Sequence, residues 1–155
     1  NKSTSNQKNY GLIVEIKKVN SIDDEKAVIH AVEKTADIQA AIELLEGNAG
    51  GIAVLKEGKT YFCKQNAIYY IESVDKRTYI YTKDNCYETK YRLYELEQLL
   101  NQYFLRSAKA MIVNIRKIKS VKSEINGRMT AQLLNDEQVI IARNYVKELK
   151  ERLGK

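Results

Sequence analysis

The pair Asn126-Gly127 lies between two runs of alternating apolar and polar residues, and no other local feature constrains the chain as tightly. Both residue types tolerate the left-handed backbone that a tight hairpin needs at its centre. Residues 118–124 precede the pair. Residues 128–134 follow it, with Met129, Ala131 and Leu133 alternating with Thr130 and Gln132. Successive strand side chains point to opposite faces, so this pattern buries one face of a sheet and wets the other. Asn135-Asp136 then turns the chain into a strand at 137–142. The signature recurs upstream. Residues 52–55 face 60–63 across Glu57-Gly58, and 67–73 face 78–83 across the polar loop Val74-Asp75-Lys76-Arg77. Further strands are expected at 86–89, 104–107 and 111–113.

Helices are fewer. Leu93, Leu96 and Leu100 recur at helical spacing and predict a helix over 92–101, and Val146, Leu149 and Leu153 predict one over 144–153. Near the start, Leu12, Val14 and Ile16 alternate with Ile13, Glu15 and Lys17, which predicts a strand over 10–19. Ser21 and Asp24 have the pattern of a capping box. They predict a helix over 24–46 ending at Gly47, with Val28, Ala31, Thr35, Ile38, Ile42 and Leu45 on one face. That face suits either packing on the sheet or a homodimer seam, because its three–four spacing is also that of a coiled coil. The expected class is α+β, mostly β, with a β–α extension over 1–55 and the main domain over 56–155.

At 155 residues the chain has room for one ordinary domain with a smaller element attached. Its 44% hydrophobic and 30% charged residues are those of a globular protein. No apolar run approaches the roughly 18–20 residues that span a bilayer, and the polar start lacks the signature of a signal peptide. The expectation is a cytoplasmic protein with no membrane partner. Cys63 and Cys86 then read as free thiols. With a single histidine, His30, and no Cys-x-x-Cys pair, no metal site is expected. Neither a phosphate-cradling glycine loop nor a nucleophile elbow is present, so no enzyme, cofactor or small-molecule substrate is expected.

Charge divides unevenly. Residues 1–55 carry 6 Lys/Arg against 8 Asp/Glu, whereas 56–155 carry 20 against 12. A basic second part suits a polyanion, since neutralising phosphates releases counterions. Within it, residues 106–122 hold Arg106, Lys109, Arg116, Lys117, Lys119 and Lys122 and not one acid. Apolar residues interrupt these cations at strand spacing, so one side can enter a core while loops at the ends project charge toward phosphates. A solvated edge strand guarded by lysines gives the same pattern. Arg143 stands where the last strand becomes the last helix, an electrostatically poor position for a cation. It suits guanine recognition, which arginine performs through two parallel hydrogen bonds, and equally an ion pair with Asp136 or Glu137. Of the 11 tyrosines, Tyr69, Tyr70, Tyr79, Tyr81, Tyr87, Tyr91 and Tyr94 crowd together; they suit stacking on single-stranded bases, and better suit packing on one another across strands.

Residues 68–153 contain, in order, IYYIES, TYIYTKD, YRLYELEQLL, YFLRSAKAMIVNIRKIKSV, the Asn-Gly hairpin and VIIARNYVKELKERL. This succession resembles the LytTR family of bacterial DNA-binding domains. The third-from-last piece carries most of the resemblance, through Phe104, Arg106, Lys109, Ile112, Val113, Asn114 and Ile118. The resemblance implies an elongated β fold whose loops enter successive major grooves of duplex DNA, touching bases sparsely and bending the site. By position it assigns base contacts to Lys109, to Arg143, and to Lys76 or Arg77 in the first hairpin loop. It assigns phosphate contacts to Arg106, Arg116, Lys117, Asn144 and Lys147. Ala108-Lys109 departs from the family's usual polar pair, which often holds His or Asn, so the preferred bases are expected to differ. Residues 1–55 are too few for a receiver domain and resemble the extension of short LytTR regulators. The expectation is a transcriptional regulator that binds repeated half-sites; a single-stranded nucleic-acid binder and a basic protein-interaction module are the alternatives.

Overall fold

A computed structural model describes residues 11–21, 24–46 and 51–154. In chain order the elements are α1 (Ala36–Leu45), β1 (Ile52–Lys56), β2 (Lys59–Cys63), β3 (Tyr70–Val74), β4 (Arg77–Tyr81), β5 (Cys86–Thr89), α2 (Leu93–Leu99), β6 (Phe104–Ala108), β7 (Met111–Asn114), β8 (Ile118–Ser123), β9 (Met129–Leu133), β10 (Gln138–Ile141) and α3 (Arg143–Arg152). Seven strands form one sheet in the order β2-β1-β5-β4-β3-β7-β6, and three form a second in the order β10-β9-β8. Every pairing is antiparallel.

From residue 52 onward the turn chemistry set the pairings. Glu57 and Gly58 take φ of 52° and 78°, and Asp75 and Lys76 take 52° and 68°. Both pairs supply the two positive φ values of a two-residue hairpin loop whose twist matches its strands. Strands β3 and β4 therefore extend to Val74 and Arg77, which pair directly, and the loop is shorter than the four residues expected from sequence. Asn126 and Gly127 are left-handed as expected, at 72° and 78°.

The extension departs from expectation. Residues 11–20 form no strand, and Ile13, Val14 and Ile16 are almost fully exposed. The helix expected over 24–46 is confined to Ala36–Leu45. The reason is local. Thr35 caps the helix, its Oγ1 accepting from the Ile38 amide at 3.3 Å. Upstream, the β-branched Val28, Ile29 and Val32 favour extended backbone. Ser21, expected to cap, instead donates through Oγ to the Leu153 carbonyl at the end of α3. Only Ile38 of α1 is buried, so the long apolar face proposed as a dimer seam is not formed as a helix. The helix stop at Gly47 lies outside the described residues. The boundary drawn between 55 and 56 falls within β1, a full member of the seven-stranded sheet.

Two hydrophobic cores share one wall. The first gathers Ile52, Val54, Ile68, Ile71, Ile80, Leu93, Leu96 and Ile112, and the second Tyr69, Leu105, Val113, Ile115, Met129, Leu133, Val139, Ile141 and Leu149. Strand alternation sends Ile112 of β7 into one and Val113 into the other, both fully buried. At roughly 1.5–3 kcal/mol for each large aliphatic side chain removed from water, these contacts supply most of the drive to fold. Asn114 closes β7. Its Nδ2 donates to the Ile68 carbonyl at 2.9 Å, and its Oδ1 accepts from the Arg116 amide at 3.0 Å, shaping the 3-10 turn Ile115–Lys117.

The two thiols are separate and differ in access: Cys63 is buried and Cys86 exposed. Burial pushes the Cys63 thiol above its ordinary pKa, which suppresses the reactive thiolate. A thiol reagent at neutral pH is expected to modify Cys86 rapidly and Cys63 only after denaturant is added; equal rates in the native protein would contradict this packing.

Candidate nucleic-acid interface

Strand register brings four connections to one edge of the molecule. In the β3–β7 pair, Glu72 lies opposite Met111, so the Asp75-Lys76 turn and the Lys109-Ala110 turn are neighbours. The Ser73 amide donates to the Ala110 carbonyl at 2.9 Å and ties them together. From the second sheet, the Ala142 amide donates to the Ser107 carbonyl at 2.7 Å, which docks the β10–α3 junction beside the same turn. Gly127, at the β8–β9 hairpin, lies against the aliphatic chain of Arg143; a Cβ there would come within 2.8 Å of its Cδ. The edge therefore runs from Lys76 through Lys109 and Arg143 to the Asn126-Gly127 hairpin.

Its cations are available. Lys76, Lys109 and Arg143 are exposed, and none of their charged groups has an ion pair or hydrogen bond among the described residues. Arg143 has not joined Asp136, which instead meets Lys119 at 3.6 Å. As the first residue of α3, it precedes the exposed Asn144 and Lys147, and no acid stands in the first helical turn. The helix N-terminus thus keeps its positive end undiluted. Lys76 holds a left-handed backbone that lysine seldom adopts, a kind of strain that concentrates at functional loops.

Arg77 and Arg106 have internal partners. Arg77 begins β4 and faces Glu88 of β5 at 3.7 Å, whereas Lys76 stands in the turn itself. Arg106 donates from Nη1 to the Lys109 carbonyl at 2.7 Å and lies 3.4 Å from Glu97. Its side chain is only 22% exposed, and Nε is buried without a partner. Its place opposite the buried Ile112 on β7, ahead of the β-bulge between Arg106 and Ala108, sets its side chain on that face. Arg106, for which a phosphate contact is expected, thus also ties down the loop that carries Lys109.

Arg116 and Lys117 lie beyond the other end of β7, a strand of four residues or roughly 13 Å away. Arg116 stacks on the Tyr103 ring at 4.1 Å and meets Glu25 at 3.2 Å. Lys117 sits 5.1 Å from the Tyr69 ring, and burial lowers its pKa. The structure does not bring these two to the edge that holds Lys109 and Arg143. Near it stand two exposed cations on either side of the β8–β9 hairpin tip: Lys122, named from sequence only within the acid-free run and given no contact, and Arg128, which sequence reasoning left out. The signal was present as cations flanking a tight turn.

The tyrosines serve packing. Tyr70 and Tyr81 stack at 4.3 Å with a 12° interplanar angle, and Tyr61 lies 6.1 Å from Tyr87. Burial raises the Tyr70 hydroxyl far above its ordinary pKa, and pushes Tyr81 up to about 12 with help from Cys86. Among the described residues no group of three His, Cys, Asp or Glu is arranged to hold a metal ion, and no helix is long and apolar enough to cross a membrane.

Residues 58–154 match the LytTr DNA-binding domain family, well over half of the chain. The chain belongs to that family. A LytTr DNA-binding domain from Bacillus cereus shares the fold, with a TM-score of 0.65 and 24% identity over 68% of this chain and 98% of that one. Two curated relatives, each an uncharacterized HTH-type transcriptional regulator of Staphylococcus aureus (strains bovine RF122 / ET3-1 and NCTC 8325 / PS 47), are 36% identical over 81 residues, 52% of this chain and 55% of theirs. The chain spans about half the length of the curated relatives it matches. Among the described residues of this LytTr domain no two α-helices follow one another without a strand between them.

Proposed function

We propose that this LytTr domain acts as a transcriptional regulator, in the cytoplasm, by reading the sequence of duplex DNA. The observation that carries this reading is the single edge on which Lys76, Lys109 and Arg143 stand exposed, with no partner for their charged groups among the described residues. Lys109 and Arg143 read base edges in the major groove, where lysine and arginine both favour guanine O6 and N7. Lys76 enters the neighbouring stretch of groove. Asn144, Lys147, Lys122, Arg128 and the amides at the start of α3 hold phosphates, fixing orientation without carrying sequence information. Arg106 acts as a positioning residue for Lys109. No catalytic role is assigned. Two copies occupy repeated half-sites, joined through the extension that contains α1.

Selection of bound duplexes from a random library, followed by titration of the recovered site against scrambled sequence, tests the reading. A steep fall of affinity with salt and a large preference for the recovered site are expected. Binding indifferent to sequence would refute it and favour a basic protein-interaction module. Arg116→Ala is expected to leave DNA affinity unchanged within the error of the same titration, because its guanidinium lies at the far end of β7 over Tyr103. A clear loss would return Arg116 to the phosphate contacts.

A further inference from the structure

The turn that carries Lys109 is not held by its own backbone. Lys109 and Ala110 join β6 to β7 as a two-residue loop, with Ala108 and Met111 paired at its base. Two-residue loops whose twist matches their strands place at least one central residue at positive φ, as Glu57-Gly58 and Asp75-Lys76 do. Neither Lys109 nor Ala110 does so. The turn is pinned instead through its two carbonyls. Ala110 accepts from the Ser73 amide at 2.9 Å, and Lys109 accepts from Arg106 Nη1 at 2.7 Å.

Of these two anchors, the amide belongs to a strand and cannot leave, whereas the guanidinium sits on a side chain that can rotate. What holds it is Glu97. Arg106 Nη2 lies 3.4 Å from Glu97 Oε1, and among the described residues Glu97 is the one carboxylate in ion-pair range of Arg106. Glu97 is itself placed from the first core. Leu93 and Leu96 bury the inner side of α2. Gln65 clamps the end of that helix, donating to the Leu99 carbonyl at 3.2 Å and accepting from the Asn101 amide at 2.9 Å. Beside the ion pair opens a cavity of about 230 Å³, lined by Glu97 and Arg106 and, from α3, by Glu148. Among the described residues Glu148 pairs only with Arg152, at 3.9 Å. The guanidinium thus has room to leave the turn and a second carboxylate to go to, and the charge of Glu97 keeps it where it is.

We infer that Glu97 is a positioning residue for base reading: through Arg106 it fixes the Lys109 carbonyl, and with it the direction of the Lys109 side chain. The inference rests on the proposed reading of duplex DNA by Lys109. It carries a sign that electrostatics alone does not. An acid near a DNA-facing edge repels phosphates, so on charge alone its removal tightens binding to every sequence. Because Glu97 aims Lys109, its removal weakens binding to the selected site.

Titration of the whole chain against selected and scrambled duplexes tests this. Glu97→Gln is expected to weaken binding to the selected duplex by about 5-fold, with the scrambled duplex bound as well as before or better. Glu148→Gln removes the same charge from the same cavity without touching Arg106, and is expected to hold or tighten binding to both. In a Lys109→Ala background Glu97→Gln should cost nothing further on the selected site, since residues that act through one another are not additive. Without DNA, the Ser73 amide is expected to exchange its hydrogen faster in Glu97→Gln, because the turn it bonds has lost its other anchor. Any of four results overturns the inference: tightening on both duplexes, as for Glu148→Gln; a loss that adds to that of Lys109→Ala; unchanged exchange at Ser73; or equal losses on both duplexes with a lower melting temperature, the mark of a purely structural residue. An unaltered chain that ignores DNA sequence would count against the regulator reading alone, and exchange at Ser73 would still decide whether Glu97 holds the turn.

Discussion

Replacing Arg143 by alanine is expected to weaken binding to the selected duplex by about 1–3 kcal/mol, roughly 5- to 150-fold, and to relax the preference at the base it touches. The expectation follows from what surrounds the side chain. Its aliphatic part lies along Gly127 and its guanidinium meets no carboxylate among the described residues, so removal leaves no buried charge and breaks no pair among them. The loss should therefore show on specific DNA and hardly at all in the melting temperature. Lysine at this position should recover part of the salt-dependent affinity but little of the discrimination, because an ammonium lacks the planar fork that engages two acceptors together. Competition titrations with the selected site and a scrambled duplex measure both quantities. Equal losses on the two would show that Arg143 contacts phosphate.

Leu149→Ala should have the larger effect on the protein itself, lowering stability by about 2–5 kcal/mol. Leu149 is fully buried in the second core and is the only buried residue of α3. Truncation removes the contacts of a complete side chain and leaves a cavity that the flanking strands can only partly fill. For a chain of this size the melting temperature should fall by about 4–20 °C. Leu149→Met, nearly volume-conserving, should cost less than about 1.5 kcal/mol. The link to function is direct, because α3 carries Arg143, Asn144 and Lys147 and is held to the body largely by this residue. A loss below 1 kcal/mol in denaturant titrations would mean that α3 is anchored elsewhere.

Much of the sheet architecture was legible because hairpins are local events. Glu57-Gly58 and Asn126-Gly127 announce their own backbone conformation, and alternation on either side then decides which residues face a core. The extension was misread for an equally local reason. Three–four spacing of Val28, Ala31 and Thr35 imitates an amphipathic helix, yet it coexists with the two-residue alternation of Val28, His30 and Val32. The β-branched residues and the cap at Thr35 settled the competition against a helix upstream of Ala36. At the candidate site, Lys109 and Arg143 were identifiable as cations at element junctions. Arg106 was not separable from them, because the face it takes, opposite Ile112, is set by pairing with β7. Arg116 and Lys117 belong to the same acid-free run as Lys109, but the length of β7 carries them to the opposite end of the sheet. Sequence proximity along a strand conceals that separation.

The shared wall formed by β7 has a consequence for how damage spreads. Ile112 and Val113 are chain neighbours that report to different halves of the molecule. An injury to the Ile71–Ile80 side pulls on the backbone from which Val113 hangs, and so reaches the layer beneath α3. Loss of packing far from the turns proposed to face DNA is therefore expected to misalign them, as a change within the turns would.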